Sequence, residues 1–155
     1  MAGKFQKSRK TFGAGMGKAS EKQKLWKAFA EWIRLRDSPE GHGSCISCKK
    51  LVPYPNSTGA WHAGHLWPRS VVYNSLYFNE MNVHGQCSAC NTFLEGNTLA
   101  FRKGVIERYG VEVLDELEKA KVLGQGRKWY DHEYKELAAE YRKKSREMKK
   151  ERGIS

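Results

Sequence analysis

The apolar positions of the chain form helical stripes toward its two ends and short, broken runs between them. Ser20 opens a Ser-x-x-Gln capping box closed by Gln23, and behind it Leu25, Trp26, Phe29, Trp32 and Ile33 recur at helical spacing. An amphipathic helix is therefore expected over residues 20–37, ended by Asp37-Ser38-Pro39. Gly41 and Gly43 are expected in a loop leading into Cys45. Three β-like runs follow, LVPYP, GAWHAGHLWP and NVHGQC, each broken by turn residues. After Cys87 the pattern turns helical. Leu99, Val105, Ile106 and Tyr109 predict a helix closing at Gly110, with Gly104 as a weak point in its middle. Val111, Leu114, Leu117 and Val122 predict another. Residues 131–150 predict a long charged helix with Tyr134, Leu137, Ala138, Tyr141 and Met148 on one side, a stripe that fits either the core or a second copy of the chain.

Length and charge narrow the class. The 155 residues suit one compact domain with appendages. The order of elements predicts an α+β fold: a small β-containing core over 45–110, the helix 20–37 before it and helices over 111–150 after it. Residues 1–19 are rich in Lys, Arg, Gly and Ser and read as a basic arm, suited equally to lying along a phosphate backbone or to keeping the chain in solution. A formal charge of +11 points to a polyanionic partner, nucleic acid first and an acidic membrane surface second. The most basic region is 1–36, with ten Lys and Arg against two acids. No apolar run approaches the roughly 20 residues of a membrane span. The start, MAGKFQKSRK, lacks the apolar segment of a signal peptide, so the expected location is cytoplasmic.

All four cysteines fall in Cys-x-x-Cys pairs, Cys45 with Cys48 and Cys87 with Cys90, separated by 38 residues. In a cytosolic chain this grouping points to a structural Zn²⁺ held by four thiolates, with a dithiol redox pair or buried free thiols as the competing readings. Such an ion would clamp the β-rich segment to the helix expected near the second pair. Four thiolates saturate zinc, which leaves His62 and His65 of WHAGH available for something else. His65 follows Gly64 and precedes a Pro-Arg turn inside the loop that zinc closes, a setting in which an imidazole can take a proton from water. Asn91 directly follows the last cysteine, where its amide oxygen can project toward the strands and ligate a divalent cation. Asn82 sits where its side chain can tie the connecting loop to backbone. His42 and His132 read as packed or surface residues.

In this order, CISC, WHAGH and FNEMNVHGQCSACN, the chain resembles the His-Asn-His (HNH) endonucleases with a zinc-clamped, treble-clef-like ββα-metal core, and among them the phage NinG/Rap recombination endonucleases. The resemblance runs over roughly residues 45–110, through EGN and FRKGVIERYG. It implies that His65 is the general base, that Asn82 is the middle, structure-setting residue, and that Asn91 helps hold a catalytic Mg²⁺ or Mn²⁺. It also implies that the four cysteines hold zinc. Many HNH enzymes carry Asp or His just before the base, and here that position is Gly64; His62 and His84 are the candidate substitutes. A phage-encoded member would work in the host cell cytoplasm.

The implied activity is phosphodiester hydrolysis in DNA, with His65 activating water and the ion stabilising charge on the phosphoryl group. Arg69 is a candidate for the scissile phosphate, and Lys4, Lys7, Arg9, Lys10, Arg102 and Lys103 for the backbone. Contacts to 6–10 phosphates would cost about 10³–10⁵-fold in affinity between 50 and 200 mM salt. Nothing resembles a base-reading element, so selectivity is expected for branched structures such as Holliday junctions or D-loops. Trp61, Trp67 and Tyr73 could stack on unpaired bases, although at least two of them are expected in the core. Symmetric cutting of a junction favours a homodimer, and recombination proteins are further candidate partners. The alternatives are a non-catalytic zinc-stabilised DNA-binding module, a nuclease cutting linear duplex at defined sequences, and an accessory protein that docks through its C-terminal helix.

Overall fold

A computed structural model of the chain describes residues 17–55, 59–68 and 73–154. Lys4, Lys7, Arg9, Lys10 and Arg69, five of the residues expected on DNA, lie outside the described residues, as does most of the basic arm. The elements run α1 (Glu21–Arg36), β1 (His42–Ser44), β2 (Leu51–Pro53), β3 (Trp61–His65), α2 (Asn74–Tyr77), β4 (Val83–Cys87), a π-helical turn (Ala89–Phe93), α3 (Thr98–Tyr109), α4 (Glu112–Gly124) and α5 (Asp131–Glu151). This is a mixed α+β fold in which the strands form two separate antiparallel pairs, β1 with β2 and β3 with β4.

The capping box opens α1 as the sequence predicts: Gln23 N donates to Ser20 Oγ at 3.2 Å, and Ser20 N donates to Gln23 Oε1 at 2.8 Å. Leu25, Phe29 and Ile33 are buried, and α5 lies against them through Ala138 and Tyr141. Phe29 meets the Tyr141 ring edge-on at 4.8 Å and Phe78 at 5.8 Å, the tilted geometry that the ring quadrupoles favour. Val83 of β4 completes this cluster from the other side. The apolar stripe of α5 thus packs on α1, and it does not offer the dimer surface that it offers as an isolated pattern.

A second cluster joins Ile46, Leu66 and Leu76 to Phe101 and Val105 of α3 and Val113 and Leu117 of α4. Gly104 is required in it. A Cβ there would lie 2.0 Å from the Ile46 carbonyl oxygen, so the weak point in the helix is the place where another backbone passes. Leu99 is 87% exposed, and Val111 and Val122 are exposed too, so these three positions of the predicted stripes are not core. Gly43 lies in strand β1 rather than in a loop, because the Trp61 indole packs over it, with Cζ2 2.2 Å from where a Cβ would stand.

The helix expected directly after the last cysteine is interrupted. The chain makes one π-helical turn, then passes through Glu95, Gly96 and Asn97, all at positive φ of 50°, 91° and 44°. Three consecutive left-handed residues end any right-handed helix, so α3 begins afresh at Thr98.

Candidate functional site

The four cysteines come together. Cys45 and Cys48 sit on the turn between β1 and β2, Cys87 ends β4, and Cys90 lies in the π-helical turn. All four Sγ atoms lie within 4.8 Å of one another, and Cys48 and Cys87 are 3.7 Å apart. A tetrahedron with Zn–S bonds of about 2.3 Å has edges of ~3.8 Å, so the cluster fits a structural zinc without rearrangement. Burial pushes the thiols of Cys87 and Cys90 up, that of Cys90 to about 12, and a dication supplies the opposite charge that lets them ionise. Asn97 Nδ2–H donates to Cys90 Sγ at 3.4 Å, as outer partners of metal thiolates do. The buried Trp61 and Val52 wall the cluster off.

The hairpin β3–β4 carries the histidines. Its register pairs Trp61 with Cys87, His62 with Gln86, Ala63 with Gly85, Gly64 with His84 and His65 with Val83. Paired residues share a face, so His62, Gly64, His84 and Gln86 line one side and Ala63, His65 and Val83 the other.

His65, the last residue of β3, is half-buried between aromatic rings. Its imidazole stacks on Trp26 at 5.0 Å and lies 4.8 Å from the Tyr77 ring. Its Nε2 is 3.0 Å from the Tyr77 carbonyl oxygen. A carbonyl only accepts, so Nε2 is the donor in this bond. The support for this arrangement is Asn82, which is fully buried. Asn82 Nδ2 donates to the Leu76 carbonyl at 3.0 Å, and its Oδ1 accepts from Trp67 N at 3.0 Å. One amide therefore ties the end of β3 to α2, the helix that presents the Tyr77 carbonyl to His65.

On the opposite face His62 and Asn91 meet. His62 Nε2–H donates to the Gly59 carbonyl at 2.7 Å, so its Nδ1 is the acceptor and takes the Asn91 Nδ2–H at 2.9 Å. That bond settles which end of the Asn91 amide faces the histidine and turns Oδ1 toward Gly64. A Cβ on Gly64 would stand 3.1 Å from Asn91 Oδ1 and 2.3 Å from Gln86 Oε1. The missing side chain at residue 64 is thus the opening onto which two amide oxygens converge. Gln86 is absent from the motif residues that the sequence singles out. Its signal was the alternation along β4, which puts it beside Gly64, but only the packing shows its oxygen pointing there.

His84, a candidate metal ligand by sequence, stands across from Gly64 on this same face, but its ring is engaged by Arg36 of α1 and Arg108 of α3. It is fully buried, donates Nε2–H to the Met81 carbonyl at 2.9 Å, and its Nδ1 receives Arg36 Nη2 at 2.9 Å and Arg108 Nη1 at 3.1 Å. Two guanidinium groups repel a dication, so His84 is corrected to a structural residue. Burial pushes its pKa below 6.5 against the pull of the nearby Asp37 carboxylate, and the neighbouring arginines act in the same direction as burial. Beside it Asp37 chelates Arg36 and accepts Gly85 N at 2.7 Å. Burial pushes the Asp37 carboxyl up, but the Arg36 guanidinium paired with it outweighs this and holds the group well below the usual carboxylate range.

Arg102 and Lys103 are exposed on α3, and Arg102 borders an apolar recess of about 340 Å³ lined by Leu66, Trp67, Pro68, Thr98 and Leu114. Trp61 is buried beneath the cysteines and Trp67 packs on the second core cluster, whereas Tyr73 is 37% exposed. No helix among the described residues is long and apolar enough to cross a membrane.

Comparison with known proteins gives these features a lineage. The family model described as Bacteriophage Lambda NinG protein matches residues 6–151. Protein ninG of Escherichia phage lambda and protein ninG of Salmonella phage P22 are each 34% identical to the chain over 119 residues, 77% of this chain and 52% of theirs. Protein ninG of Enterobacteria phage H19B is 31% identical over the same length. The chain spans about half the length of the curated relatives it matches. No solved structure matches. With the family model covering nearly the whole chain, the protein belongs to the bacteriophage lambda NinG family.

Proposed function

We propose that the protein is a divalent-metal-dependent DNA endonuclease of the HNH, ββα-metal type, acting on branched recombination intermediates such as Holliday junctions or D-loops. The observation that carries the reading is His65, whose Nε2–H is held by the Tyr77 carbonyl while Asn82 fixes the helix behind it. A histidine whose ring is held in this way at Nε2 can serve as the base through Nδ1, a role that needs a fixed ring.

In this reading His65 Nδ1 accepts the proton of the attacking water. Asn91 Oδ1 is the residue-91 ligand of a Mg²⁺ or Mn²⁺, and His62 orients it rather than ligating the ion itself. Such an ion, when bound, supplies Lewis-acid polarisation of the phosphoryl oxygens. Asn82 and Tyr77 keep the base in place, and the cysteine cluster holds β4 and the π-helical turn in register. Because His65 and Asn91 flank opposite faces of β3, the substrate must lie across the strand end at residues 64 and 65. Arg102 and Lys103, exposed on α3, are candidate backbone contacts, and the net charge of +11 favours DNA in general.

The test is to incubate the purified protein with labelled four-way junction, D-loop and linear duplex in Mg²⁺, Mn²⁺ or EDTA. Cleavage of the branched substrates with metal, and none in EDTA, is the expected result. Cutting of linear duplex at defined sequences would replace branch selectivity with sequence selectivity. Tight binding without any cleavage would leave a zinc-stabilised DNA-binding module, the reading that Gly64 in place of a metal ligand favours.

A further inference from the structure

Gln86 is fully buried, and its two amide ends are distinguishable. Nε2 donates to the Gly96 carbonyl at 2.6 Å and to Ser47 Oγ at 2.9 Å. The Gly96 carbonyl can only accept, so the amide cannot be reversed without losing that bond. Oε1 must then face the other way, toward Gly64, and it has no hydrogen-bond partner among the described residues. An orphaned buried carbonyl oxygen is uncommon, because leaving one unsatisfied forfeits a full hydrogen bond. The same opening receives Asn91 Oδ1, whose orientation is set by His62. Two rigidly aimed, neutral oxygen donors thus converge on the spot where residue 64 has no side chain.

We propose that Gln86 Oε1 is a ligand of the divalent ion, paired with Asn91 Oδ1 and standing in for the side chain that Gly64 lacks. The proposal rests on the divalent-ion reading above and adds to it the ligand that the motif residues leave out. Hard cations such as Mg²⁺ and Mn²⁺ take amide oxygens and keep several waters, so two protein ligands suffice. Neither donor is charged, so the ion keeps its full charge for a phosphate and binds weakly without DNA. Gly64 has a reason in this arrangement: any Cβ there would displace Gln86 Oε1, so the residue-64 and residue-86 ligands are mutually exclusive.

The test uses Mn²⁺ alone as the probe, with free Mn²⁺ followed by electron paramagnetic resonance and side-chain amide signals by NMR. In the wild type, Mn²⁺ should broaden the Gln86 and Asn91 side-chain amide signals first. Gln86→Leu should weaken Mn²⁺ binding by about tenfold or more, the order of effect seen when a metal-site partner is lost. Ser47→Ala removes a bond on the Nε2 side and keeps Oε1, so its Mn²⁺ affinity should match the wild type. The double variant Gln86→Ala/Gly64→Asp puts a carboxylate into the vacated space and should restore binding even if Gln86→Leu folds poorly. Zinc content, measured on each variant, reports whether the cysteine cluster is intact. Gln86→Leu that retains zinc and binds Mn²⁺ like the wild type overturns the proposal, as does a wild type whose Gln86 amide is untouched by Mn²⁺. Mn²⁺ binding that behaves as expected in a protein that cuts no DNA upholds the ligand and rejects the nuclease. Cleavage unaltered in Gln86→Leu does the reverse.

Discussion

At His84, burial and two arginines favour the neutral imidazole, and the dependence of stability on pH follows from that preference. The unfolded chain takes up a proton near pH 6.5, whereas the folded one resists it until a lower pH. Between those two values the unfolded state binds more protons, so stability falls as pH drops below about 6.5 and levels off beneath the folded pKa. Asp37 acts in the same direction further down: its carboxyl is depressed in the fold, so its stabilisation is present above about pH 4 and is lost as the pH falls below that. Urea unfolding of the wild type should therefore weaken from pH 7.5 to 5.5, and His84→Gln should show a shallower slope over that range; equal slopes would contradict the account. Zinc release on acidification adds a slope common to both proteins. At this scale the sequence was informative where chemistry sits in a motif. Cys45, Cys48, Cys87 and Cys90 were readable from spacing, and Asn82 as a loop tie from its turn setting. Gln86 was not, because what makes it distinctive is the side chain missing across the hairpin at Gly64. His84 was misplaced because nearness in sequence to Asn82 says nothing of the two arginines that come from α1 and α3.

Gly104 separates local propensity from packing. Glycine in mid-helix costs about 1 kcal/mol against alanine, so on propensity alone Gly104→Ala would stabilise α3. A methyl group there would collide with the Ile46 backbone, which cannot move as a flexible side chain can. Gly104→Ala is therefore expected to destabilise the protein by about 1–3 kcal/mol, the usual range for overpacking, as read from the denaturation midpoint. A midpoint at or above that of the wild type would show that Ile46 shifts freely. The amphipathic helices α1 and α5 were legible from their periodicity, as was the cap at Ser20. Their mutual packing was not, because one stripe on a helix fits any complementary apolar face. The break between the π-helical turn and α3 was hidden for a different reason: Glu95 and Asn97 adopt left-handed conformations that their residue types permit but do not announce.

Taken as a whole, the molecule is two apolar clusters flanking a hairpin, with the cysteine cluster closing its end. The strands are short, three to five residues, and form no sheet larger than two strands among the described residues, so a zinc ion held by the four cysteines would supply cohesion that backbone pairing does not. Purified protein is expected to carry a single Zn²⁺ per chain, and a strong chelator or Cys90→Ser should lower its melting temperature sharply; a melting curve indifferent to chelation would refute a structural zinc. The basic charge and the α+β class were both legible at this scale, whereas the use of the α5 stripe was not. The central claim concerns His65, and the most direct measurement compares wild type with His65→Ala on a four-way junction, following binding and metal-dependent cleavage together. The account predicts unchanged junction affinity and zinc content in the variant, with a cleavage rate reduced about 10²–10⁴-fold, as removal of a general base does. A variant that cuts the junction as fast as the wild type would contradict it.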